Sequence, residues 1–225
     1  MQTTQTSWNP RVFIGASTAS LNPQIPSPVH RPSTVAIEIE PGIGFGIDGE
    51  SIVIGDNVRE GVTTITGHLD DGTYPQRDYR VTRSGDQTAV DGYYDWQDYQ
   101  MRRTGSKVDV QCGDADFSAT ITDGASGPSS TGRFPAQAYT ITTQGSQTRV
   151  QGYDDSVSAT ISAQGGTLLI DGAIPERTFE ITRTSSGFHV KGAYRFQDFD
   201  VKRTADGFVI QGLYPQQHYV VKHQA

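Results

Sequence analysis

The chain has one cysteine in 225 residues. A single thiol makes no intrachain disulfide, and a cysteine-rich zinc module is excluded with it. Positive charge is in the minority, with 18 Lys and Arg against 25 Asp and Glu and a net charge of −7. That balance argues against a nucleic-acid binder, which needs a basic face. Apolar residues make up only 34% of the chain. None of their runs approaches the roughly 18 residues of a membrane-crossing helix, so no transmembrane segment is expected. Helical periodicity is absent too.

Enzyme signatures are also missing. The chain has no Gly-x-Ser-x-Gly, no His-Glu-x-x-His and no phosphate loop. Catalysis needs paired groups within hydrogen-bond reach, and the five histidines, His30, His68, His189, His218 and His223, are scattered. Acids pair at Asp70-Asp71, Asp114 with Asp116, and Asp154-Asp155. Calcium takes six to eight oxygen ligands, so these read as solvated turn acids. No catalytic residue, cofactor or metal is expected.

Residues 1–37 contain no acid; the first is Glu38. Five of the 11 prolines fall there: Pro10, Pro23, Pro26, Pro28 and Pro32. Ser, Thr, Gln and Asn fill most other places. Such a composition buries too little apolar surface to offset ordering entropy. Residues 1–36 are therefore expected to be a disordered or extended arm. The features of a Sec signal peptide are missing. The acid-poor, Ser/Thr/Pro/Gln-rich start resembles the leader of proteins exported by type III secretion, which would imply export by a non-Sec route. A solvated tail and a docking strand are the other readings. For docking, Trp8, Val12, Phe13 and Ile14 form the apolar patch that adds to a neighbouring subunit's sheet edge.

The rest of the chain is a repeat of twenty residues. Val81, Met101, Ile121, Ile141, Ile161, Ile181, Val201 and Val221 occupy one register, and Tyr79, Tyr99, Tyr139, Phe179, Phe199 and Tyr219 another. Gly92, Gly132, Gly152, Gly172, Gly192 and Gly212 form a third, in which Cys112 is the exception. That thiol therefore reads as a small structural residue. Apolar and polar residues alternate within each unit, as in a half-buried strand. Thr184-Ser185-Ser186-Gly187 and Thr204-Ala205-Asp206-Gly207 read as type I turns closed by a left-handed glycine.

The pattern predicts an all-β fold of tandem antiparallel β-hairpins, about eight units and about 16 short strands over residues 72–225. Residues 37–71 read as an irregular β capping segment. A rolled sheet, a sandwich and a solenoid-like array fit the pattern, and a four-bladed propeller is the alternative. Simple closure of so many strands leaves a wide apolar lumen, which is unfavourable in water, so a single closed barrel is not expected.

Two further features bear on function. Arg83, Arg103, Arg183 and Arg203, with His223 in the same register, end strands. They read as snorkelling residues, with Asp98 or Asp198 as possible partners. Aromatics collect in the inter-hairpin links: Tyr74, Tyr94, Trp96, Phe134, Tyr194, Phe196 and Tyr214, with Tyr93 and Tyr153. Successive links lie two strand spacings apart, roughly 9–10 Å, about the length of a disaccharide in an extended glycan. The plainer reading is that these rings cover the sheet edge. The chain is thus expected to be a non-enzymatic repeat protein with a structural, adhesive or assembly role. It would self-associate or bind a protein partner through its arm and sheet edges. The alternative is a glycan-binding module using the link aromatics.

Overall fold

The computed structural model describes residues 10–21, 33–67, 75–113 and 115–224. Among them are twenty strands and no α-helix. Sixteen, from β5 (Gly61–Gly67) to β20 (Tyr219–Gln224), form one antiparallel meander. It closes where β20 pairs with β5, in register from Tyr219↔Gly67 to Gln224↔Val62. Each twenty-residue unit is one hairpin of this wall. The hairpin turns gather at one end of the barrel. The links, each a single 3-10 turn, gather at the other.

Closure works because the lumen is neither empty nor wet. Sixteen strands spaced about 4.8 Å apart give a circumference of about 77 Å and a radius of at least about 12 Å. Wall side chains cannot meet across such a width. The space is filled by a second closed barrel of four short strands, β1 (Val12–Ser20), β2 (Thr34–Glu40), β3 (Ile43–Gly46) and β4 (Ser51–Ile54). These strands are buried on both faces, so they read as apolar runs rather than alternations. Inside this plug lie Phe13, Ala36 and Val53. Its interior is so narrow that side chains at Gly15, Gly44 or Gly55 would collide with the Phe13 ring. The plug's outer face carries Ile14, Val35, Ile37, Ile43, Phe45, Ile52 and Ile54, which share one core with the wall's inward residues. Phe45 meets Phe179 and Phe199 edge-on, at centroid distances of 5.4 and 4.8 Å. On another side β1 approaches β11 (Gly127–Gly132), where the inward place is held by Ser130 instead of the Val found at Val90, Val110 and Val150.

Several expectations are corrected here. The docking residues Val12, Phe13 and Ile14 lie in β1, paired with β2 of their own chain, and are not presented to a neighbour. Trp8 lies outside the described residues. The segment after residue 36 does not cap the end of an array. Its first part completes the plug, and β5 closes the wall. Closure also pairs the two strand edges with each other, so neither is left for a second molecule. The averaged composition of the N-terminal stretch hid its apolar positions, which cluster at 12–21 and 33–39.

Turn chemistry differs as well. Gly85 and Gly105 sit first in two-residue turns with φ of 59°, the glycine-first turn whose twist suits a hairpin. Gly207 is not left-handed; it begins a strand, and a β-carbon there would strike the carbonyl of Val221.

Candidate functional site

The link end of the barrel carries the candidate site. Four of the eight links begin with proline at the first turn position: Pro75, Pro135, Pro175 and Pro215. Proline's fixed φ and missing N–H suit that place. In four links the third position is glutamine: Gln97, Gln137, Gln197 and Gln217, all buried. Each Oε1 accepts the backbone N–H of the aromatic residue three places earlier, at Tyr94, Phe134, Tyr194 and Tyr214, over 2.9–3.1 Å. Each Nε2 reaches a backbone carbonyl of the preceding link: Gln76 (3.0 Å), Asp116 (3.5 Å), Glu176 (2.8 Å) and Phe196. Arg177 does the same in the sixth link (Pro175–Arg177), donating to the carbonyl of Ser156 at 2.8 Å. The belt ties link to link and fixes where each aromatic residue leaves the wall.

The glycine register now has a reason. A β-carbon at Gly92, Gly132, Gly192 or Gly212 would run into the glutamine side chain above it. In the third link (Ala115–Phe117) Phe117 replaces the glutamine, and Cys112 replaces the glycine, its thiol 3.3 Å from the carbonyl of Phe117. The glutamine row was legible as aromatic-x-x-Gln at Tyr94, Phe134, Tyr194 and Tyr214, a signal the registers of apolar residues overshadow.

Outside this belt stand the rings. Tyr94, Trp96, Phe134, Tyr194 and Tyr214 are each exposed by 43–46%. Tyr94 stacks with Trp96 at 5.6 Å and 12°, and Tyr194 with the half-buried Phe196 at 5.5 Å and 5°. Phe117 and Phe134 meet at 6.3 Å, tilted by 50°. Tyr74 lies outside the described residues. The Tyr194 hydroxyl donates to Glu176 Oε1 at 2.9 Å. A backbone N–H and this hydroxyl hold the Glu176 carboxyl below its usual range. Because β20 lies beside β5, the eighth link (Pro215–Gln217) adjoins the first (Pro75–Arg77). The rings of Tyr194, Phe196 and Tyr214 therefore lie on one arc with those of Tyr94 and Trp96.

Other expected site residues serve the plug. Arg83 donates to the carbonyl of Val58 at 2.6 Å, and Arg103 pairs with Asp56 and with Asp123 (2.8 Å). His223 places Nε2 2.8 Å from Glu40 Oε2 and Nδ1 2.8 Å from Thr63 Oγ1. Asp98 and Asp198 are not partners of the arginines. They accept the backbone N–H of Gly92 and Gly192 at 2.8 and 3.0 Å. At the link end Arg77 Nη2 donates to Tyr219 Oη at 2.6 Å, and that hydroxyl donates to the carbonyl of Ser20 at 2.7 Å. Of the acidic pairs, Asp154 accepts the Ser156 N–H at 2.8 Å, while Asp70, Asp71 and Asp114 lie outside the described residues. The chain matches no family model, no curated protein and no solved structure.

Proposed function

We propose that the protein is a non-enzymatic, adhesive binding module whose aromatic arc holds a glycan. The observation that carries this reading is the pair of near-parallel stacks on one rim, Tyr94 with Trp96, both exposed, and the exposed Tyr194 with the half-buried Phe196. Exposed apolar rings gathered on one rim mark an interaction site more often than chance. Flat rings offer apolar faces to the C–H side of a sugar, and the flanking carboxylates and amides offer partners for its hydroxyls. The glutamine belt preorganises the rings, so little side-chain freedom remains to be lost on binding. Assembly through the arm or through open edges has less support, since both are occupied within the chain.

An immobilised glycan array probed with the intact protein tests this. Binding is expected to one class of glycan; Tyr194→Ala should reduce it at least about tenfold, the loss of one stacking contact of about 1.4 kcal/mol, and Trp96→Ala should remove the binding at the second link. Their circular dichroism and melting should match the parent. An array with no signal above background overturns the reading.

A further inference from the structure

We infer that the glycan is a neutral, linear chain, and that the rim grips a short stretch of it on the seventh (Arg195–Gln197) and eighth (Pro215–Gln217) links. This rests on the rim reading above and adds the ligand's charge and length.

The charge follows from which rim groups are committed. Arg133 pairs with Asp116. Arg77 and Arg177 turn inward, to Tyr219 and to the carbonyl of Ser156. At the seventh link the rim then presents the exposed Arg195 and, next to it, the exposed Glu176 of the sixth, while Asp95, Asp154 and Asp155 are exposed further round, on the second (Asp95–Gln97) and fifth (Asp155–Val157) links. Glu176, hydrogen-bonded to the hydroxyl of the Tyr194 ring itself, sits at the edge of the stack. A sulfated or uronic-acid chain laid on the Tyr194 stack would bring an anion against the Glu176 carboxylate, at a cost in binding. A neutral chain donates a hydroxyl to that carboxylate instead.

The length follows from curvature. Eight links share a circle of at least about 12 Å radius, roughly 9–10 Å apart. A stiff extended chain touches such a rim as a tangent. Two adjacent links lie on its line, and the next falls about 6–7 Å behind it at that radius. Tyr194 with Phe196 and Leu213 with Tyr214 are adjacent aromatic links, and each is about one disaccharide wide. Binding at the second gains from attachment at the first, as in any linked pair of sites. The second link (Asp95–Gln97), with Tyr94 and Trp96, is two places further round and engages a separate chain.

Calorimetry on the full chain tests both parts. The probes are β-1,4-linked glucose and N-acetylglucosamine oligomers of one to eight sugars, beside heparin and hyaluronan fragments, at physiological salt. For one neutral series, affinity should rise about tenfold or more between two and about four sugars, then level off within about twofold from six to eight. Tyr214→Ala should abolish that rise, so that four sugars bind no more tightly than two. Tighter binding of the charged fragments, or affinity that keeps climbing to eight sugars, overturns the inference. If that binding is still lost in Tyr194→Ala, the rim reading survives and only the ligand class falls. Absence of binding to every probe overturns both.

Discussion

Gln217 Nε2 donates to the carbonyl of Leu21 at 3.0 Å, across 196 positions of sequence. The same amide reaches the carbonyl of Phe196, and its oxygen takes the N–H of Tyr214 at 3.0 Å. One side chain thus joins the last link, its neighbour and the plug.

Gln217→Ala leaves three buried backbone groups without partners, at an expected cost of about 2–3 kcal/mol. Gln197→Ala breaks the equivalent wall bonds at Tyr194 and Glu176 and should cost about 1–2 kcal/mol. Urea denaturation of the two variants compares them. Equal losses would mean that the bond to the plug contributes nothing.

Plug and wall should unfold together, because their facing surfaces form one core. Phe45→Ala removes a ring packed on both Phe179 and Phe199 and should destabilise the whole protein by about 3–5 kcal/mol. A single transition by near- and far-ultraviolet circular dichroism is expected, as two-state behaviour requires. Deleting residues 1–58 should leave a chain that binds a hydrophobic dye and shows no cooperative melt. A well-behaved melt of that fragment would show that the wall stands by itself.

Gly212→Ala tests the glycine register. The added β-carbon would lie 2.5 Å from Cβ of Gln217, so the link must shift, at an expected cost of about 1–3 kcal/mol. Cys112→Gly, beneath a link with no glutamine, should change the melting temperature much less. Comparable losses at both sites would remove the glutamine from the explanation.

Alkaline stability follows from three buried phenols. Burial pushes the hydroxyls of Tyr79, Tyr99 and Tyr219 above the ordinary tyrosine range. Their folded values are raised, so their contribution is complete below the unfolded value of about 10 and is lost as pH climbs above it. Phenolate absorbance of these three should therefore appear together with loss of near-ultraviolet dichroism. Tyr219→Phe should remove one phenolate from that late phase. A titration in which all tyrosines ionise before any loss of dichroism would refute the assignment.

Much of the wall was legible in the chain. Strand alternation has period two, and the twenty-residue register repeats Val81 and Tyr79 without insertion, so hairpins and strand number follow from local pattern. The aromatic links are legible for the same reason, since Tyr94, Tyr194 and Tyr214 recur at fixed register. The glutamine belt is written in that register too, but its partners lie 21 residues back in the neighbouring link, and only paired strands bring them together.

What the sequence determined by itself is therefore whatever its periodicity encodes: strands, turns, an inward apolar row and a ring of aromatic links. Tertiary structure alone decided that the row closes, what fills it and which links adjoin. Closure depends on the pairing of β5 with β20, and a contact between chain segments so far apart leaves no mark on local alternation. The plug was hidden because Phe13, Ala36 and Val53 face inward while Ile14, Val35 and Ile52 face the wall. Strands buried on both faces lose the alternation that identifies a strand, and only the lumen they fill explains their composition.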